Sequence, residues 1–138
     1  MLTSVFLSAC ENNDVRLNDL APAPLPGQAV SLQTHVQPIF DNNCAFAGCH
    51  AGGGAQLGMS LESAHIFTDV VGIASIEVPT LLRIEPGRSD RSYLVNKIEG
   101  TQAQAGGGGD QMPPGGPFLS AEEILRIRDW IDQGALDN

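Results

Sequence analysis

The chain has 138 residues, rich in glycine and proline (Gly 16, Pro 9) and poor in aromatic side chains (Trp 1, Tyr 1, Phe 5). A hydrophobic fraction of 42% allows one packed domain and argues against global disorder. Seven Lys and Arg against sixteen Asp and Glu give a net charge of −9, which repels phosphate backbones and sets nucleic acid aside as a partner; no apolar run approaches the ~20 residues of a membrane-spanning helix.

Residues 1–9 are mostly apolar or small and lead to Cys10. Leu7-Ser8-Ala9-Cys10 resembles the lipobox of bacterial lipoproteins, whose cysteine becomes the lipidated first residue after cleavage. It implies an exported protein on the periplasmic or cell-envelope side, anchored to a membrane through Cys10. The alternative is a frayed apolar terminus with a free thiol. The apolar stretch is short and no Lys or Arg precedes it, so an in-frame start upstream that encodes one is expected. Residues 11–30 turn to Asn, Asp, Ala and Pro, and Pro22, Pro24 and Pro26 favour an extended tether. The folded domain is then expected over residues 31–138.

That domain reads as short helices separated by long loops. Thr34 and Gln37 match a capping box, Val36, Ile39 and Phe40 share a face, and this first helix should end near Asn43. Two further short helices are expected over Leu61–Thr68 and Asp90–Ile98, with Ser60 and Ser89 as caps. Ser120 and Glu123 form a second capping box, and Leu119 with Ile124 makes a hydrophobic staple. Ile124, Ile127, Trp130 and Ile131 follow at helical spacing, and Gly134 should stop the helix. No stretch alternates well enough for a sheet, so the fold class is all-α. So few aromatic residues would leave a thin core unless a large apolar cofactor completes it.

Cys44-Ala45-Phe46-Ala47-Gly48-Cys49-His50 suggests which one. Two thiols in a short loop, followed at once by an imidazole, meet the needs of covalent haem attachment: the thiols add to the vinyl groups and the histidine binds iron. The usual motif has two residues between the cysteines and this one has four. The extra pair must bulge outward, and Gly48 can take the backbone angles required. Two other readings stay open, a Cys44–Cys49 disulfide in a non-haem exported binding module and a zinc site that includes His50. An electron-carrying haem also needs a sixth iron ligand, commonly a thioether, which raises the potential. Met112 stands before Pro113 and Pro114, which stiffen the strap behind it; its bland role is to fill a gap in the core.

Residues from about Val30 to Ala135 resemble a class I c-type cytochrome, closest to the small monohaem domains of exported bacterial proteins. The likeness rests on Val36-Gln37-Pro38-Ile39-Phe40, Glu85-Pro86-Gly87, Ser92-Tyr93-Leu94-Val95 with Lys97, Met112-Pro113 with Gly115-Gly116, and Leu119-Ser120 through Trp130-Ile131. The widened cysteine spacing is a variant also met among bacterial relatives. The resemblance implies a small cytochrome c-like fold around one haem c. Cys44 and Cys49 would attach the haem, with His50 as proximal and Met112 as distal iron ligand, and the first and last helices would cross near one haem edge.

The expected function is single-electron transfer rather than catalysis, and the acidic surface favours redox partners with basic docking patches. The same domain could instead serve as the haem-bearing subunit of a larger membrane-associated oxidoreductase complex. His35 and His65 are weaker candidates for the sixth ligand, and Met59 is expected in the core. Arg83, Arg88, Arg91, Tyr93 and Lys97 are candidates to neutralise haem propionates, with no one of them singled out.

Overall fold

A computed structural model describes Pro24 and residues 27–138. Cys10, the lipobox and most of the tether lie outside the described residues. Among the described residues the chain is helical and has no sheet; only isolated bridges occur, such as Val71 with Ile84 and Leu82 with Ser92. No described helix is long and apolar enough to cross a membrane.

The first helix starts earlier than the Thr34–Gln37 box predicts. Ser31 is its cap: the hydroxyl accepts from Thr34 N–H at 3.1 Å, and Ser31 N–H donates to His35 Nδ1 at 2.9 Å. A wide turn over Leu32–Val36 runs into α1, Gln37–Asn43. Gln37 N–H reaches back to Leu32 O, and Pro38 has no N–H to give to an ordinary helical bond. The earlier start buries Leu32 together with Val36, Ile39 and Phe40. Gln37 is turned inward, where Nε2 donates to Asp41 Oδ1 at 2.7 Å and Leu61 O at 2.9 Å. It is therefore unavailable to Thr34.

The expected helix over Leu61–Thr68 shrinks to α2, Ile66–Asp69. Ser60 Oγ instead accepts from Glu62 N–H at 3.3 Å and donates to Glu62 Oε2 at 3.0 Å, a local turn that competes with helix. The expected helix over Asp90–Ile98 is also divided. A short turn over Ser89–Arg91 ends at the extended Ser92, and α3 spans Tyr93–Glu99. The break is stabilised by Ser92 Oγ, which accepts from Glu85 N–H and donates to Arg88 O, both at 2.9 Å. Tyr93 and Leu94 N–H, free donors of the first turn, bond to Leu82 O at 2.9 Å and Arg83 O at 3.0 Å. Ser89 caps no helix; it is held by Asp132, through N–H at 2.7 Å and Oγ at 2.9 Å.

The last helix, α4 (Ala121–Asp132), follows the sequence expectation closely. Ser120 Oγ accepts from Glu123 N–H at 3.2 Å, and Ser120 N–H donates to Glu123 Oε2 at 2.7 Å. Leu119 is buried and Ile124 packs against the core, as a staple requires. Ile127, Trp130 and Ile131 are fully buried, and Gly134 turns the chain at φ +108°. The segment leading into α1 packs on α4 and the residues that follow it: Val30 N–H donates to Gln133 Oε1 at 2.8 Å, and Leu32 N–H to Asn138 Oδ1 at 2.9 Å. One apolar cluster runs from Val30 to Ala135 through these contacts.

Candidate functional site

The loop that carries Cys44, Cys49 and His50 grows directly out of the end of α1. Phe40 O accepts from both Cys44 N–H and Ala45 N–H at 2.8 Å, which stops the helix and buries Cys44 beneath it. Cys44 O then accepts from Phe46 N–H at 2.9 Å and from His50 N–H at 3.2 Å, and Phe46 O accepts from Cys49 N–H at 3.0 Å. The four residues between the cysteines therefore bulge, and the chain closes on itself from His50 to Cys44. Gly48 takes φ +83° at the bulge, a conformation that suits glycine and few other residues. Both thiols are free, Cys44 buried and Cys49 half-buried.

The next segment folds back over the loop. Gln56 N–H donates to Cys49 O at 2.7 Å, and its side-chain Nε2 to Gly48 O at 3.2 Å. This return brings the Met59 carbonyl to His50 Nδ1 at 3.0 Å, while Leu61 N–H donates to His50 O at 2.9 Å. A carbonyl can only accept, so Nδ1 carries the proton and Nε2 keeps its lone pair. Metal-binding histidines are commonly oriented by such a bond on the other ring nitrogen. Burial holds the His50 pKa below the usual imidazole value, and the charges of Arg83 and Lys97 act in the same direction, while the Met59 bond opposes them. Burial likewise pushes the Cys44 thiol up to about 12, helped by Cys49 and Glu123. The loop thus presents two free thiols, able to add to unsaturated carbon, and an imidazole with a free Nε2. Among the described residues, no three or more His, Cys, Asp or Glu side chains gather as a metal-binding group.

Met112 lies on a separate strap, half-buried and hung from the end of α3. Its N–H donates to Lys97 O, and Gln111 Nε2 donates to Ile98 O, both at 2.9 Å. The strap returns through Gly116 N–H to Pro113 O at 3.0 Å, with Met112–Pro113 and Gly116–Pro117 both cis. The structure therefore places Cys44, Cys49 and His50 in one loop, while Met112 lies on a separate strap held by α3.

The remaining candidates are engaged elsewhere. His35 Nδ1 accepts at the start of the first helix, and His65 is exposed, lining a shallow surface cleft with Ser60, Glu62 and Asp69. Met59 packs on the core as expected. Arg83 is buried and donates to three carbonyls, Leu57 at 2.6 Å, Gly58 at 3.0 Å and Asp69 at 2.5 Å. Arg88 pairs with Asp90 and Arg91 with Glu85, whereas Tyr93 and Lys97 share Glu77. Two features went unread in the sequence. The Met59 carbonyl is a backbone atom that no residue type announces. Arg126 looks like any arginine on an amphipathic helix, yet it is buried with Nε and Nη1 unpartnered. No family model matches the chain, and no curated protein or solved structure matches it either.

Proposed function

We propose that this chain is a monohaem c-type cytochrome of the small cytochrome c-like fold, an exported carrier of single electrons rather than an enzyme. The observation that carries the reading is the 3.0 Å bond between His50 Nδ1 and Met59 O, set in a loop that closes from His50 onto Cys44. It leaves Nε2 as the ring's one available ligand atom, next to two thiols that are not joined to each other.

The donor set fits a covalently held haem. Cys44 and Cys49 would hold it through thioethers: each S–H adds across a vinyl group, forming one C–S and one C–H bond with no oxidant. His50 Nε2 and the Met112 sulfur would bind the iron, and the thioether favours the reduced state. Arg126, buried with Nε and Nη1 unpartnered, is suited to a carboxylate. Haem supplies the one-electron couple; the chain fixes two strong ligands on separate supports, which limits rearrangement between oxidation states. With a net charge of −9, docking favours partners with basic patches. Lipidated Cys10 would anchor the domain to a membrane on the periplasmic or cell-envelope side.

Expression in a host with a cytochrome-maturation system tests the reading. Denaturing electrophoresis should show a haem-stained band, weakened in Cys44→Ala and in Cys49→Ala. A colourless product with the mass of the bare polypeptide would overturn it.

A further inference from the structure

Gly106 to Gly109 form the most pliable stretch ahead of Met112, since each glycine adds backbone freedom, and a methionine side chain is itself flexible. A ligand on such a strap needs to be held from behind. Tyr93 and Lys97 stand one turn apart on α3 and so share a side of it; both reach Glu77, from the loop ahead of α3. The Tyr93 hydroxyl donates to Glu77, and Lys97 Nζ lies 3.5 Å from Glu77 Oε2. The glycine run is laid over this cluster. Lys97 Nζ donates to Gly108 O at 2.9 Å, and Gly107 lies against the Tyr93 ring. A Cβ on Gly107 would stand 2.7 Å from Tyr93 Cζ, so only glycine fits there without a shift. Gln102 completes the grip, its O accepting from Gly107 N–H at 2.8 Å and its Nε2 donating to Gly109 O at 3.0 Å. Lys97 therefore holds the strap twice, by its ammonium at Gly108 and by its carbonyl at Met112.

The geometry points to Tyr93, Glu77 and Lys97 as positioning residues for the Met112 thioether, a clasp that keeps the distal ligand aimed. This rests on the reading of Met112 as an iron ligand. None of the three would itself bind the iron. Glu77 links the other two, so its loss should release the glycine run and let Met112 leave more often.

The test uses the haem-loaded full chain. Glu77→Ala and Tyr93→Phe should speed carbon monoxide binding to the ferrous protein by roughly tenfold, the scale of one lost charge-assisted bond. They should also weaken the sulfur-to-iron absorption band and hasten amide exchange in the peptide containing Met112. Glu77→Gln, which keeps an acceptor for Tyr93 but loses the charge for Lys97, should fall between and guards against misfolding of the alanine variant. Ser89→Ala, which loses the Oγ bond to Asp132, should lower the melting temperature and move none of these readouts. If no haem is covalently bound, the functional reading itself fails. If haem is bound but Met112→Ala leaves carbon monoxide binding slow, the ligand assignment fails and the clasp with it. If Met112→Ala opens the iron while the Glu77 and Tyr93 variants match wild type, the clasp alone is overturned.

Discussion

Arg126 gives one N–H to Glu122 Oε1 at 2.7 Å and keeps Nε and Nη1 buried with no partner. Only 6% of the residue is exposed, so water cannot make up the deficit. A buried unpaired donor costs about 1–3 kcal/mol. Arg126→Met, of similar length and without the donors, should therefore stabilise the haem-free chain by about 1–3 kcal/mol in denaturant titration. In the haem-loaded protein the gain should vanish if a haem carboxylate occupies the guanidinium. An Arg126→Met variant no more stable than wild type in the haem-free form would mean that those N–H groups are satisfied in solution.

On the proposed reading, Met112 would decide between an electron carrier and a haem that binds gases. With His50 and Met112 both on the iron, the protein should be low-spin and slow to take up carbon monoxide. Met112→Ala should give a five-coordinate ferrous iron that binds it quickly, at a lower reduction potential. Met112→His should stay low-spin, also at lower potential. His65→Ala should leave the spectrum unchanged, since His65 is exposed on the surface. Met59→Leu should do so too, because His50 is held by the Met59 backbone and not by its side chain. An iron opened by His65→Ala and not by Met112→Ala would reassign the ligand.

Tyr93 predicts an alkaline limit to stability. Burial raises its pKa above the ordinary phenol value, and the bond to Glu77 and its negative charge act in the same direction, against the bond from Gly108. The neutral phenol is the form the fold favours, with Glu77, Lys97 and the Gly108 amide as the groups that face it. Its contribution is complete below the unfolded pKa of about 10 and is lost as pH rises toward the folded value. Midpoints of urea unfolding should therefore drop above about pH 10 in wild type. Tyr93→Phe should lose that part of the slope while being less stable at neutral pH. Parallel pH curves for the two proteins would rule the phenol out as the cause.

Elements whose signals are local were legible in the sequence. The Ser120–Glu123 box, the apolar stripe of α4 and the turn at Gly134 depend on residues within a few positions of one another. Gly48 was legible for the same reason, because a bulge in a short loop asks for a residue free to take positive φ. Competition between neighbours was harder to read. Ser31 takes the place of Thr34 as cap because an earlier start buries Leu32, and Ser60 and Ser92 make turns of their own where the local pattern predicts the beginning or continuation of a helix. The cysteines, His50 and Met112 are visible as residue types, whereas the burial of Arg126 and the cluster around Glu77 depend on long-range packing that periodicity does not encode.

Every hydrogen bond found at His50 is made with backbone: its N–H with Cys44 O, its carbonyl with Leu61 N–H, and its ring with Met59 O. Replacing the side chains of those three residues removes none of these bonds. What the imidazole depends on is the count of residues between Cys49 and Met59, since one residue inserted or deleted there would carry a different carbonyl past the ring. Point substitutions along that stretch should be absorbed more readily than changes of length, so the stretch acts as a ruler more than as a recognition motif.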